Sequence, residues 1–252
     1  MKVVVVVGGT GLIGRTLVAR LAEHGHEAVP AAPSTGVDTL TGEGLKEVLP
    51  GAEVVVDVSN SPSFADDDVM AFFRTSTTNL VAAAKEAGAG HYVALSVVGT
   101  DRQPDVGYFR AKVAQERLIA ESGLPFSIVR ATQFFEFADG VADTSTTDGV
   151  VRLPGAGVQP MAAAEVSAAV GRTAVSGTPV GGVTEIAGPE VFGLDEWVRT
   201  VLTARADPRP VVTDPEAPYF GAVPGPEDLL PGPGAQLAET RLADWLAQVV
   251  TG

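Results

Sequence analysis

The sequence predicts an α/β protein, a parallel sheet doubly wound by helices, followed by a small C-terminal lobe. Three observations predict it. Valine-rich runs at Val3–Val7 and at residues 53–58 are continuous rather than alternating, the pattern of strands buried on both faces. Segments with apolar residues at helical spacing alternate with those runs, Leu12–Glu23 first among them. Four glycines, Gly8, Gly9, Gly11 and Gly14, fall within seven residues between the first run and the first helix, where the chain must turn sharply.

Taken in order, Val3–Val7 is a strand, and Leu12–Glu23 is a helix that stops at His24-Gly25. Residues 27–32 form a weak second strand, because Pro30 has no N–H to give a central ladder. Residues 42–49 read as a short helix and 53–58 as a strand. A long helix covers 64–87 and ends at Gly88, with Asp66, Asp67 and Asp68 suited to its positive N-terminal end. His91–Val97 is a strand, 106–122 a helix ending at Gly123, and 126–130 a strand. Repeated units of this length imply a parallel sheet covered on both faces. After residue 131 the pattern loosens. Helices are expected at Ala163–Val175, Leu194–Ala204 and 235–250, and short strands at Val150–Leu153 and 182–186. Prolines crowd residues 208–233, which read as an irregular loop over the surface or over a site.

Composition narrows the function. With 252 residues, 45% hydrophobic and 19% charged, the chain can bury a sizeable core. There is no cysteine, which excludes disulfides, thiolate metal sites and cysteine nucleophiles. The three histidines, His24, His26 and His91, are too scattered for a metal cluster, so no metal is expected; His24 and His26 fit helix capping or solvation. A net charge of −14 disfavours nucleic acid and anionic membranes as partners. The apolar run at the N-terminus is too short for a signal peptide, and no stretch is long enough for a membrane span. The expectation is a cytoplasmic protein whose partner is a small-molecule substrate, its oligomeric state left open.

The glycine turn has a specific physical use. Gly9, Gly11 and Gly14 fit G-x-G-x-x-G, and Gly8, Gly11 and Gly14 fit a related spacing. One glycine allows the tight turn, a second lets the backbone approach a pyrophosphate, and a third lets helix pack on strand. The helix N-terminus offers free N–H groups to the phosphates. The turn follows a buried strand and opens a helix, the context that a Rossmann-type dinucleotide fold requires. The backbone and side chains expected at the cofactor are Gly8, Thr10, Gly11, Leu12, Ile13, Gly14 and Arg15, with Val58 and Ser59 after the strand at 53–58. The second strand ends in Ala31-Ala32-Pro33-Ser34-Thr35 without the acid that usually marks NAD. Ser34 and Thr35 could donate hydroxyls to a 2′-phosphate, and Asp38 fits the adenine side. Arg15 either reaches that phosphate or is a solvated helix residue. NADP is favoured, with NAD possible.

Ser96 ends a predicted strand, and Tyr108 and Lys112 lie four apart on one face of a predicted helix. With the glycine turn, this Ser and Tyr-x-x-x-Lys pattern resembles the short-chain dehydrogenase/reductase superfamily, in its atypical, NmrA-like NAD(P)H-binding branch near the extended group. The resemblance covers about the first 140 residues well and the rest loosely. It implies that Tyr108 is the acid/base, Lys112 its tuner and a ribose ligand, and Ser96 the carbonyl anchor. The chemistry suits those types: a phenol of ordinary pKa near 10 is brought toward working pH by a nearby ammonium, and a hydroxyl fixes the carbonyl. Asn79 aligns loosely with the family's helix asparagine. The chain departs from the family where Arg130-Ala131 replaces the common Arg-Pro, and where the second strand lacks the arginine of many NADP-binding members. Many NmrA-like relatives lack the tyrosine and act as redox sensors or regulators.

The expected division is a nucleotide-binding core over residues 1–130 and a smaller α+β substrate lobe over 131–252, packed as one unit. Candidate pocket residues are Asn60, Val97, Gln133, Phe134, Phe135, Phe137 and Tyr219, each aromatic being equally open to a place in the lobe core. The stretch Val58–Phe64 flanks the nicotinamide side, and Tyr219-Phe220 could form a lid. No arginine cluster points to an anionic substrate. The function expected is an NAD(P)H-dependent oxidoreductase, a ketoreductase or dehydrogenase of a small neutral carbonyl compound or quinone. The alternatives are a non-catalytic NAD(P)-sensing regulator, and a sugar-nucleotide epimerase, which the short C-terminal lobe disfavours.

Overall fold

Seven parallel strands make the central sheet. The structure is a computed structural model and describes residues 1–250. The strands are β1 (Val3–Val7), β2 (Glu27–Ala31), β3 (Val54–Asp57), β4 (His91–Val97), β5 (Phe126–Ala131), β9 (Val183–Ala187) and β12 (Gln236–Leu237). Their order is β2-β1-β3-β4-β5-β9-β12, each pair parallel. The helices α1 (Leu12–Glu23), α2 (Leu45–Val48), α3 (Asp66–Glu86), α4 (Gly107–Ala120) and α6 (Ala163–Val175) cover its two faces.

The valine runs explain the layering. Val4 and Val6 pack with Val54, Val56, Leu17, Val166 and Val170 on one face. Val5 and Val7 pack with Val55, Leu45, Leu49, Leu80 and Ile119 on the other. Successive side chains of a strand point to opposite faces, so a strand between two helical layers must be apolar throughout. A fully buried side chain of this size contributes about 1.5–3 kcal/mol. Pro30 is tolerated because β2 is the sheet edge. His24 Nδ1 lies 2.7 Å from the Arg20 carbonyl at the end of α1, and His26 Nδ1 accepts from the Lys2 N–H. Asp66, Asp67 and Asp68 form the first turn of α3.

Strand order reverses between β1 and β3, since the chain goes from β1 outward to β2 and then crosses back. In such sheets ligands bind at the carboxyl ends of the strands flanking that point. Over this rim sits a second core, which includes Phe109, Phe135, Trp197, Tyr219 and Trp245, with Tyr108 and Val97 packed against it. It draws on α5 (Ala138–Thr144), α7 (Leu194–Ala204), α8 (Leu242–Val250), a three-stranded sheet of β6 (Thr146–Thr147), β7 (Val150–Leu153) and β11 (Val211–Thr213), and the pair β8 (Gly157–Val158) and β10 (Phe192–Gly193).

Two expectations are corrected. The single helix expected over 235–250 is β12 followed by α8, because Gln236 and Leu237 pair with Ile186 and Ala187 of β9. The proline-rich stretch is not wholly irregular: Val211–Thr213 pairs with β7, and Tyr219 is buried. Among the described residues, no helix is long and apolar enough to cross a membrane.

Candidate active site

The glycine turn closes the carboxyl end of β1. The Gly8 N–H donates to the Ala31 carbonyl, and the Gly11 N–H donates to the Gly8 carbonyl. A Cβ on Gly14 would lie 2.1 Å from the Gly8 carbonyl oxygen, so this position serves the packing of α1 on the turn. A Cβ on Gly11 would meet only that same oxygen, at 3.3 Å, and the Gly11 backbone is extended. Packing within the protein therefore explains Gly14, whereas the side-chain position at Gly11 opens away from the protein. Gly11 is the N-cap of α1 and has no side chain to occupy the first-turn N–H groups. Leu12 is half-buried against the sheet, and Ile13 is buried. This is a cradle in which a pyrophosphate can approach the backbone.

Beyond the turn, Ser34 Oγ lies 3.5 Å from Thr10 Oγ1, both exposed. Arg15 is exposed, and among the described residues it has no ion-pair partner. Thr35 is spent locally: its hydroxyl donates to the Ala32 carbonyl at 3.0 Å, with the Pro30 carbonyl the alternative acceptor at 3.3 Å, and accepts the Ala32 N–H. Asp38 accepts the Leu40 N–H in the loop that follows. Asn79 hydrogen-bonds neither Tyr108 nor Lys112. Its amide donates to the Thr39 and Leu40 carbonyls and so ties that loop to α3.

Tyr108 and Lys112 stand on α4, but their polar ends part. The Tyr108 hydroxyl donates to Asn60 Oδ1 at 3.1 Å. Burial raises its pKa, and Tyr219 adds to the rise. Lys112 is buried. Its ammonium donates to the Leu95 carbonyl at 2.9 Å and to Gln115 Oε1, and sits 4.3 Å from the Phe73 ring centre. Burial lowers its pKa to about 8, against the opposing pull of Asp57 and Glu116. The expected lowering of the Tyr108 pKa by Lys112 is absent from this arrangement.

Ser96 corrects the sequence reading. Its hydroxyl donates to Glu116 Oε1 at 2.6 Å, and Glu116 is clamped in two places by Arg130 at 2.9 and 2.7 Å. Arg130 also holds Asp101. Ser96 thus completes a buried ion pair rather than facing Tyr108. The groups around Tyr108 are Asn60, Phe64, Phe73 and Phe220, with ring centres 5.5, 6.0 and 6.0 Å away. Gln133 is nearly buried with no partner for Oε1. Phe137 is exposed and stacked on Phe134 at 5.0 Å. Phe135 is core, 1% exposed and packed on Trp245, because it points down into the second core. Val97 is half-buried against that core. Val58 and Ser59 leave β3 beside the glycine turn, where the Val58 N–H donates to the Val7 carbonyl.

A family model for NAD(P)H-binding proteins matches residues 8–170. The chain belongs to that family. Its match begins at the first glycine of the turn and ends within α6. A Streptomyces griseus relative, (4-alkanoyl-5-oxo-2,5-dihydrofuran-3-yl)methyl phosphate reductase, is 30% identical over 82% of this chain and 75% of its own length. A short-chain dehydrogenase/reductase superfamily protein from Agrobacterium tumefaciens with bound NAD superposes with a TM-score of 0.74 at 16% identity, over 99% of this chain and 96% of that one. An Escherichia coli NADPH-dependent quinone oxidoreductase complexed with NADPH gives 0.71 at 18% identity, over 98% and 99%. The NAD(P)H-binding family expected from the glycine turn is shown, and the solved structures share the fold.

Sequence reasoning missed two residues of this candidate site, Asp57 and Gln115. Asp57 is 1% exposed and accepts from Ser59, Tyr92 and Gln115. Its signal was in the sequence, an acid at the end of a run of valines.

Proposed function

We propose that the protein is an NADPH-dependent reductase of a small, neutral, apolar carbonyl compound or quinone, with Tyr108 as the proton donor. The observation that carries this reading is the Tyr108 hydroxyl at the carboxyl rim of the sheet, set among aromatic rings and next to the loop from β3. Phe64 and Phe220 are 53% and 43% exposed, their ring centres 5.7 Å apart, so an apolar surface is presented to a ligand. Asn60, Tyr219 and Gln133 are the neutral polar groups beside it. Arg102 and Arg110 are engaged elsewhere, with the Leu230 and Glu227 carbonyls and with Asp66, which favours an uncharged substrate.

Gly8, Thr10, Gly11, Leu12, Ile13 and Gly14 would hold the pyrophosphate, with Val58 and Ser59 beside it. Arg15, Ser34 and Thr10 would receive the 2′-phosphate of NADPH, and no acid among residues 31–35 opposes it. The nicotinamide supplies hydride. Tyr108 gives the proton to the developing alkoxide, and residues 131–252 provide the apolar side of the pocket. The test is NADPH oxidation against a panel of neutral ketones, enones and quinones, followed at the nicotinamide absorbance. Turnover of at least one compound is expected.

A second reading has its own observation. Lys112 and Tyr108 bond to different partners, so the dyad is not joined. A protein that binds NADPH tightly and oxidises it with no compound of the panel is a nucleotide-sensing regulator.

A further inference from the structure

We propose that Asp57, acting through Gln115, is the positioning residue that fixes the Lys112 ammonium and keeps it charged. This inference concerns the same site and rests on the reading above only where cofactor binding is measured. Asp57 ends β3 at the switch point, and one buried carboxylate there joins three elements. Oδ1 accepts the Ser59 N–H at 3.0 Å and the Ser59 hydroxyl at 2.6 Å. Oδ2 accepts the Gln115 amide at 3.0 Å from α4 and the Tyr92 hydroxyl at 3.3 Å from β4. The Gln115 carbonyl oxygen then accepts the Lys112 ammonium.

The arrangement is polar in one direction. The amide of Gln115 can donate to only one side and accept on the other, so Asp57 sets which way it points, and Gln115 sets where Lys112 ends. Asp57, Gln115 and Lys112 are each 2% exposed or less. An ammonium this deep stays charged only with opposite charge and hydrogen bonds nearby. The groups that face it are Gln115 and Glu116 of α4, Asp57 of β3, the Leu95 carbonyl of β4 and the Phe73 ring of α3. Glu116 is already held by Arg130 of β5 and by Ser96, which leaves Asp57 as the carboxylate without a cationic partner of its own. Lys112 supplies that charge. Asp57 also reaches the nucleotide turn: it pins Ser59, whose N and Cα lie 2.9 Å from where a Cβ on Gly8 would be. The glycine turn and the Tyr-x-x-x-Lys helix are therefore tied through one side chain.

The chain has four lysines, Lys2, Lys46, Lys85 and Lys112, which makes the test direct. Lysine labelled with carbon-13 is titrated by NMR in the full chain without cofactor, and the Lys112 signal is assigned from the Lys112→Met variant. In the wild type the Lys112 midpoint is expected near pH 8. Asp57→Asn keeps the shape and removes the charge, and should move the Lys112 midpoint down by about one pH unit, tenfold in its ionisation constant. Gln115→Met keeps Asp57 and cuts the bridge, and should also move it down. Should Asp57→Asn fail to fold, Gln115→Met reads the same link. An unchanged Lys112 midpoint in either folded variant overturns the proposal. A separate arm measures NADPH affinity against pH. The wild-type affinity should fall above pH 8, and the fall should begin about one unit lower in Asp57→Asn and vanish in Lys112→Met. A wild type that binds no NADPH overturns the functional reading while the NMR result stands by itself. A shifted Lys112 signal with an unshifted binding profile overturns the link between Asp57 and the cofactor.

Discussion

Gly11→Val separates a cofactor cradle from an ordinary tight turn. The Gly11 backbone has φ −77° and ψ −176°, open to any residue. Its new Cβ would meet one protein atom, the Gly8 carbonyl oxygen at 3.3 Å, which a shift of a few tenths of an ångström relieves. Folding stability should therefore change by no more than about 1 kcal/mol, and loss of backbone freedom in the unfolded chain offsets part of it. Gly14→Val is the contrast, with its Cβ 2.1 Å from the same oxygen, and should destabilise the whole fold. In Gly11→Val the isopropyl group enters the space in front of the helix N-terminus where phosphate oxygens must approach the N–H groups. A loss of at least about 100-fold in NADPH affinity is expected, about 2.7 kcal/mol. Calorimetric titration measures it, and thermal unfolding checks the fold. A folded Gly11→Val protein with unchanged affinity would refute the cradle.

Other variants probe other parts. NADPH should bind more tightly than NADH, and Arg15→Ala should narrow the gap; equal wild-type affinities in calorimetry would remove Arg15 from the 2′-phosphate. Glu116→Leu leaves Arg130 with Asp101 as its one carboxylate and Ser96 without its acceptor, which costs about 1–3 kcal/mol and should lower Tm by roughly 2–12 °C. Phe220 has φ +52°, a left-handed conformation that costs a side chain about 1–2 kcal/mol. Phe220→Gly should therefore hold or raise Tm while raising KM for an apolar substrate severalfold, and an unchanged KM would free Phe220 of any pocket role. Lys112 holds its proton up to about pH 8 in the fold and up to 10.5 ordinarily, so between those values the unfolded chain binds more protons and this group's contribution to stability rises with pH. Chemical denaturation at pH 7 and pH 10 should show that rise shrink in Lys112→Met.

The sequence was most legible where one pattern had one cause. Val3–Val7, Leu12–Glu23, His91–Val97, Ala163–Val175 and Leu194–Ala204 match their elements end to end, because burial on both faces or on one helical stripe fixes the apolar spacing. β11 and β12 carry no such mark, with three and two residues whose pairing is decided by β7 and β9. Tyr108 and Lys112 were found as types on one helix face, but the direction of each polar end was not. Gln115 and Asp57, 58 residues apart, turn Lys112 into the core. Glu116, 20 residues on, takes Ser96 out of the pocket. Both are contacts between sequence-distant buried polar groups, to which periodicity is blind.

Tyr108 is the proposed proton donor. Tyr108→Phe keeps the ring among Phe64, Phe73 and Phe220 and removes only the hydroxyl that Asn60 accepts. Single-turnover NADPH oxidation with the best substrate of the panel, beside NADPH affinity by calorimetry, tests it directly. The rate should fall on the order of 10²–10⁴ with affinity unchanged. A Tyr108→Phe protein that oxidises NADPH at the wild-type rate would contradict it.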